Sequence, residues 1–177
     1  GADITVSSAN AEKVILGGTG QPTSGSAARA YTQIGHGGES STSNINSSVT
    51  VTGAGGVDVL GGFIQNSYAL IGHGGDSADT LGTGFVGNVG VTATTGDIVL
   101  AANPLSGGSG NRTFAQIGHG GFNGGSTGGS FSGNVTARAS AGSILADAGD
   151  AGNNTCVQIG HGGGDADAAA GQGHNGV

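Results

Sequence analysis

A six-residue string returns four times in this chain, and no other feature restricts its fold as much. Gln33-Ile34-Gly35-His36-Gly37-Gly38 recurs as Leu70-Ile71-Gly72-His73-Gly74-Gly75, as Gln116-Ile117-Gly118-His119-Gly120-Gly121 and as Gln158-Ile159-Gly160-His161-Gly162-Gly163. The four histidines are 37, 46 and 42 residues apart. A period of about 42 residues with joins of variable length marks a repeat array. Residues 1–177 form a single array, with units at approximately 1–44, 45–84, 85–130 and 131–177.

Each unit reads as three short strands. The first carries apolar residues two apart, at Ile4 and Val6, Val49 and Val51, Val89 and Val91, and Val135 and Ala137. That is strand periodicity. The same parity runs back to Ile45, Phe85 and Phe131, which extends this strand towards its N-terminal side. A second strand follows a turn of nearly constant length, at Val14-Ile15-Leu16, Val57-Asp58-Val59, Ile98-Val99-Leu100 and Ile144-Leu145-Ala146. The third carries the hexapeptide, preceded by Tyr31, Tyr68, Phe114 or Cys156. The remaining joins are Gly-, Ser-, Thr- and Asn-rich, as in 105–111 and 122–130. Constant strands with variable corners are what a solenoid tolerates.

The expected fold is therefore all-β: a parallel β-solenoid of four three-strand repeats of about 42 residues. Successive units would stack about 4.8 Å apart. Ile34, Ile71, Ile117 and Ile159 would form one inward ladder. One coil per unit is preferred to two smaller coils, because each chemical class of residue occurs once per unit. The final Asn175-Gly176-Val177 matches the strand entries Gly87-Asn88-Val89 and Gly133-Asn134-Val135. A further unit, or a second copy stacked end to end, is the expectation there.

Composition removes the competing classes. Glycine supplies 42 of 177 residues, and each one inside a helix costs about 1 kcal/mol relative to Ala, so a helical domain is excluded. Glycine is not spaced every third residue and Pro numbers only 2, which excludes collagen. No apolar run approaches the roughly 18 residues of a membrane span. Net charge is −7 with only 4 Lys and Arg, which argues against nucleic acid and anionic membrane as partners. The single Cys156 has no internal disulfide partner and leaves the compartment open.

The succession of a Val-x-Val strand, Gly96-Asp97-Ile98-Val99-Leu100 and Phe114-Ala115-Gln116-Ile117-Gly118-His119-Gly120-Gly121 resembles the repeats of very large bacterial exoproteins. These are the filamentous haemagglutinin-like and autotransporter-type adhesins, and the resemblance covers all four units. It implies a right-handed coil and export to the outer surface or surroundings of a Gram-negative-type bacterium. It also implies a role in adhesion, biofilm matrix or surface filaments. Self-association, end to end or lateral, and contact with glycans or cell-surface proteins would follow.

Four groups of residues invite a chemical role. His36, His73, His119 and His161 fall in one column, where imidazoles could bind a transition metal or sense pH. Their expected role is structural: flanked by glycines at a strand end, each ring can bond a corner carbonyl or its neighbour's ring. Zinc wants three or four converging ligands, and no Cys or carboxylate shares this spacing. Gln33, Gln116 and Gln158 suggest an amide ladder of side chains bonded up and down the axis, interrupted by Leu70. Tyr31, Tyr68 and Phe114 read as packing rather than a glycan platform. Glu39, Asp76, Asp79, Asp165 and Asp167 follow the hexapeptides and make Ca2+ the only cofactor to weigh. The nonapeptide pattern of calcium-binding β-rolls is absent, and solvated loops are the expectation. No catalytic function is expected: the basic residues Lys13, Arg29, Arg112 and Arg138 are scattered, and no carboxylate pair has a spacing suited to glycoside chemistry.

Overall fold

The computed structural model describes residues 1–18, 30–81, 84–102, 112–122, 125–127, 130–149, 155–163 and 174–175. Its strands in chain order are β1 (Ile4–Ser7), β2 (Lys13–Gly17), β3 (Tyr31–Ile34), β4 (Ile45–Asn46), β5 (Val49–Gly53), β6 (Gly56–Leu60), β7 (Tyr68–Ile71), β8 (Asp79–Leu81) and β9 (Gly84–Val86). They continue as β10 (Val89–Ala93), β11 (Ile98–Ala101), β12 (Phe114–Ile117), β13 (Gly125–Thr127), β14 (Ser130–Ser132), β15 (Val135–Ala139), β16 (Ile144–Asp147), β17 (Cys156–Ile159) and β18 (His174–Asn175).

Every pairing among the described residues is parallel and joins equivalent strands of successive units. One sheet runs β1-β5-β10-β15, a second β2-β6-β11-β16 and a third β3-β7-β12-β17. The register has no slip: Ile4 faces Val49, Val49 faces Val89, and Val89 faces Val135. Each unit is thus one coil of a parallel β-solenoid, and the two-coil alternative falls away.

The unit has more strands than the three read from sequence. β4, β9, β14 and β18 form a separate sheet, and β8 pairs with β13 in another. Ile45, Phe85 and Phe131 keep the parity of the following strand, but they do not extend it. Gly87 and Gly133 intervene with φ of 142° and 127°, a conformation open to glycine, and the chain turns a corner there.

Parity sets the core. Val49, Val51, Val57, Val59, Ala69 and Ile71 face inward with their equivalents Val89, Val91, Ile98, Leu100, Ala115 and Ile117, and all are fully buried. Ile34 packs against this core from the first coil, whereas Ile159 in the last described coil is 41% exposed. The third sheet is covered on both sides in its middle strands: β7 and β12 are buried at every position. Their outer side chains, Tyr68, Leu70 and Phe114, join Phe122 and Cys156 in a second apolar cluster. Ile45, Ala78, Phe85 and Phe131 make a third.

The histidine seam as candidate functional site

The glycines of the hexapeptide let the backbone of successive coils come into close contact. Gly72 and Gly118 have φ of 144° and 142°, and a Cβ on either would collide with the carbonyl of the equivalent glycine in the next coil. Gly37, Gly74, Gly120 and Gly162 continue the contact as isolated parallel bridges. The histidine between these glycines is thereby held in strict register.

The four rings stack in a column. Centroids are 5.2, 4.8 and 4.9 Å apart from His36 to His161, with interplanar angles of 22°, 4° and 8°. Each ring reaches back to the start of its own coil. Nε2 of His36 lies 2.9 Å from the Ala2 carbonyl, and Nε2 of His73 lies 2.9 Å from that of Ser47. His119 and His161 make the same bond, at 2.9 Å, to Gly87 and Gly133. The other nitrogen faces the neighbouring coil. The backbone N–H of His36 donates to Nδ1 of His73 at 3.0 Å, that of His73 to Nδ1 of His119 at 3.1 Å, and that of His119 to Nδ1 of His161 at 3.2 Å.

These partners dictate the tautomer. Nδ1 of His73, His119 and His161 faces an N–H and must accept, so the proton of the neutral ring sits on Nε2 and is donated to the corner carbonyl. Each imidazole closes its own coil, and those of His73, His119 and His161 also bind the preceding one. The corner carbonyl was foreseen; the ring-to-ring bond was not realised, because a buried backbone N–H takes the acceptor instead.

Both inner rings, His73 and His119, are 0% exposed. Burial pushes the His73 imidazole below its ordinary range, against the opposing pull of the Ser47 carbonyl. Burial likewise lowers His119 to about 3; the Gly87 carbonyl opposes this, and the flanking imidazoles reinforce it. With both nitrogens engaged, these rings offer no lone pair to a metal.

The glutamines bracket this turn rather than one another. Gln33 Nε2 lies 3.1, 3.0 and 3.1 Å from the carbonyls of His36, Gly72 and Gly74. Gln116 Nε2 repeats the set on His119, Gly160 and Gly162 at 3.2, 3.1 and 2.9 Å, and Gln158 donates to His161 at 2.7 Å. The expected amide ladder is thus corrected. The glycine conformations aim carbonyls at the amide, and Leu70 separates Gln33 from Gln116 in register. The aromatic column is as expected, with Tyr31–Tyr68 and Tyr68–Phe114 stacked at 4.8 and 4.5 Å.

Among the acidic candidates, Asp76 corrects the solvated-loop expectation, because its turn is stacked between those of the adjacent coils. Asp76 is buried, with Ser77 Oγ donating to its Oδ1 at 3.3 Å. Asp79 lies in β8, in register with Gly125. Asp165 and Asp167 fall outside the described residues. Among the described residues no three His, Cys, Asp or Glu side chains are grouped to hold a metal ion.

A second ladder escaped the sequence reading. Asp3 Oδ1 accepts the Ser48 N–H at 2.7 Å, Ser48 Oγ accepts that of Asn88 at 3.3 Å, and Asn88 Oδ1 accepts that of Asn134 at 2.9 Å. Its signal was a residue with a side-chain oxygen just before the first strand of every unit. No helix among the described residues is long and apolar enough to cross a membrane. Comparison with protein-family models, with curated proteins and with solved structures finds no match to this chain.

Proposed function

We propose that the chain is a structural rod segment of an extracellular fibre, a biofilm-matrix filament or a giant adhesin on a Gram-negative-type bacterium. The observation that carries this reading is the unbroken register of unlike ladders along one axis. Backbone pairs, the inner Ile71–Ile117 column, stacked rings and the Asp3–Ser48–Asn88–Asn134 ladder all repeat at every coil. A continuous β-ladder resists bending and shear, because each coil is bonded to its neighbours through successive parallel strands. The role is mechanical and non-enzymatic: the most conspicuous titratable side chains are tied into the scaffold.

Electron microscopy of natively isolated material, with and without chelator, tests this. Uniform filaments or rods indifferent to chelator are expected. Compact particles with no elongated form would overturn the reading, and filaments that dissolve only in chelator would replace it with a metal-dependent one.

A further inference from the structure

The inner histidines do more than fill a corner. His73 and His119 are fully enclosed, and each joins two coils through one acceptor nitrogen. A proton taken from solvent onto Nδ1 turns that acceptor into a donor facing a backbone N–H. The bond between coils is lost, and the N–H of His36 or His73 is left without a partner. The new charge also enters a stack whose neighbours are imidazoles 4.8–5.2 Å away.

We propose that the histidine column is an acid-labile seam, which holds adjacent coils together at neutral pH and releases them as the inner rings protonate. The proposal concerns this chain's own stability; its consequence for filaments rests on the rod reading above.

The surroundings favour a response by the rings themselves. His73 is faced by His36, by His119 and by the amino group of Gly1, and His119 by His73 and His161. Asp3 sits at the corner beside Ser47, bonded to the Ser48 N–H, while Glu39 and Asp76 lie on the turns after Gly38 and Gly75. The remaining contacts are carbonyls and Ser47 Oγ, 3.1 Å from His73 Nε2. With Nδ1 accepting a backbone N–H and the ring buried, both inner imidazoles resist protonation in the folded chain, whereas in the unfolded chain they take up protons below about pH 6.5. The unfolded state then binds more protons, so stability falls as pH falls. Each imidazole that stays neutral in the folded chain moves the unfolding constant by up to about tenfold per pH unit below that point, and the pair by up to about a hundredfold. Carboxylates in the unfolded chain titrate only near pH 4, and the other histidines are shared by parent and variant, so the difference between the two from pH 6.5 to 5 reports the inner rings.

The test is denaturant unfolding of the full chain between pH 7.5 and 5, beside the double variant His73→Gln with His119→Gln. Gln keeps a donor for the corner carbonyl and does not titrate. The expected result is an unfolding constant that rises steeply below pH 6.5 in the parent chain and distinctly less steeply in the variant, which keeps His36 and His161. Equal slopes in both would overturn the proposal. Nitrogen NMR of the parent decides the matter if the variant does not fold. Inner rings that keep the Nε2–H form down to pH 5 support the seam, and rings titrating near 6.5 refute it. Micrographs at pH 7 separate the two readings: an absence of rods there strikes the fibre proposal and leaves the unfolding result standing.

Discussion

Gly118 and Gly90 show how differently one residue type serves this chain. At Gly118 the φ of 142° and the carbonyl of Gly160 leave no space for a side chain. At Gly90 a Cβ would meet nothing within 4 Å. Gly118→Ala is expected to lose about 3 kcal/mol of stability through backbone strain alone. Gly90→Ala is expected to gain about 0.5 kcal/mol by restricting the unfolded chain. Chemical denaturation of both variants checks the pair. His119 divides in a similar way. Asn in its place keeps an acceptor near the position of Nδ1 but falls short of the Gly87 carbonyl, for an expected loss of about 1 kcal/mol. Ala also strands the buried His73 N–H, and about 3 kcal/mol is expected. Equal losses in thermal melts would show that the two bonds of this ring are not separable.

At the scale of the strand, the hexapeptide element is buried on both faces in its middle copies, and that alone ranks its substitutions. Ile117 is 0% exposed, so Ile117→Ala is expected to cost about 3 kcal/mol. Ile159 is 41% exposed at the equivalent position, and the same change there is expected to cost under about 1 kcal/mol. Melting temperatures of the two variants give the comparison directly. The inward parity of Val, Ile and Leu was legible because a period of two survives in sequence. Asp76 and Asp79 were read as solvated loop residues, but Asp76 is buried and Asp79 lies in β8, because the turns after the hexapeptide bond to those of the adjacent coils. The direction of a carbonyl was not legible, since it depends on the φ of Gly72 or Gly118; hence the glutamines were read as bonding one another. The separate β4–β9–β14 sheet was hidden for a related reason. Ile45 and Val49 share parity across the corner, so only the backbone reveals the break.

For the whole molecule, zero slip between units makes the coils interchangeable. Phe85 already pairs with Phe131, so deletion of residues 85–130 leaves Gly84 joined to a residue equivalent to its natural neighbour. The shortened chain is expected to keep a β-sheet spectrum and melt at a lower temperature, as a stack with one fewer interface. A spectrum of an unfolded chain would show that the second and fourth coils are not compatible. The unit length and the histidine column were readable from the repeat itself, whereas the bonds that give the column its purpose needed three dimensions. Those bonds also confer a polarity. The N–H groups of His36, His73 and His119 each point at the Nδ1 of the coil that follows, so the column has a direction from donor to acceptor. Two such stacks brought together by a two-fold axis would oppose donor to donor or acceptor to acceptor. Only like-oriented addition continues the seam, so a filament built this way would grow with distinguishable leading and trailing tips.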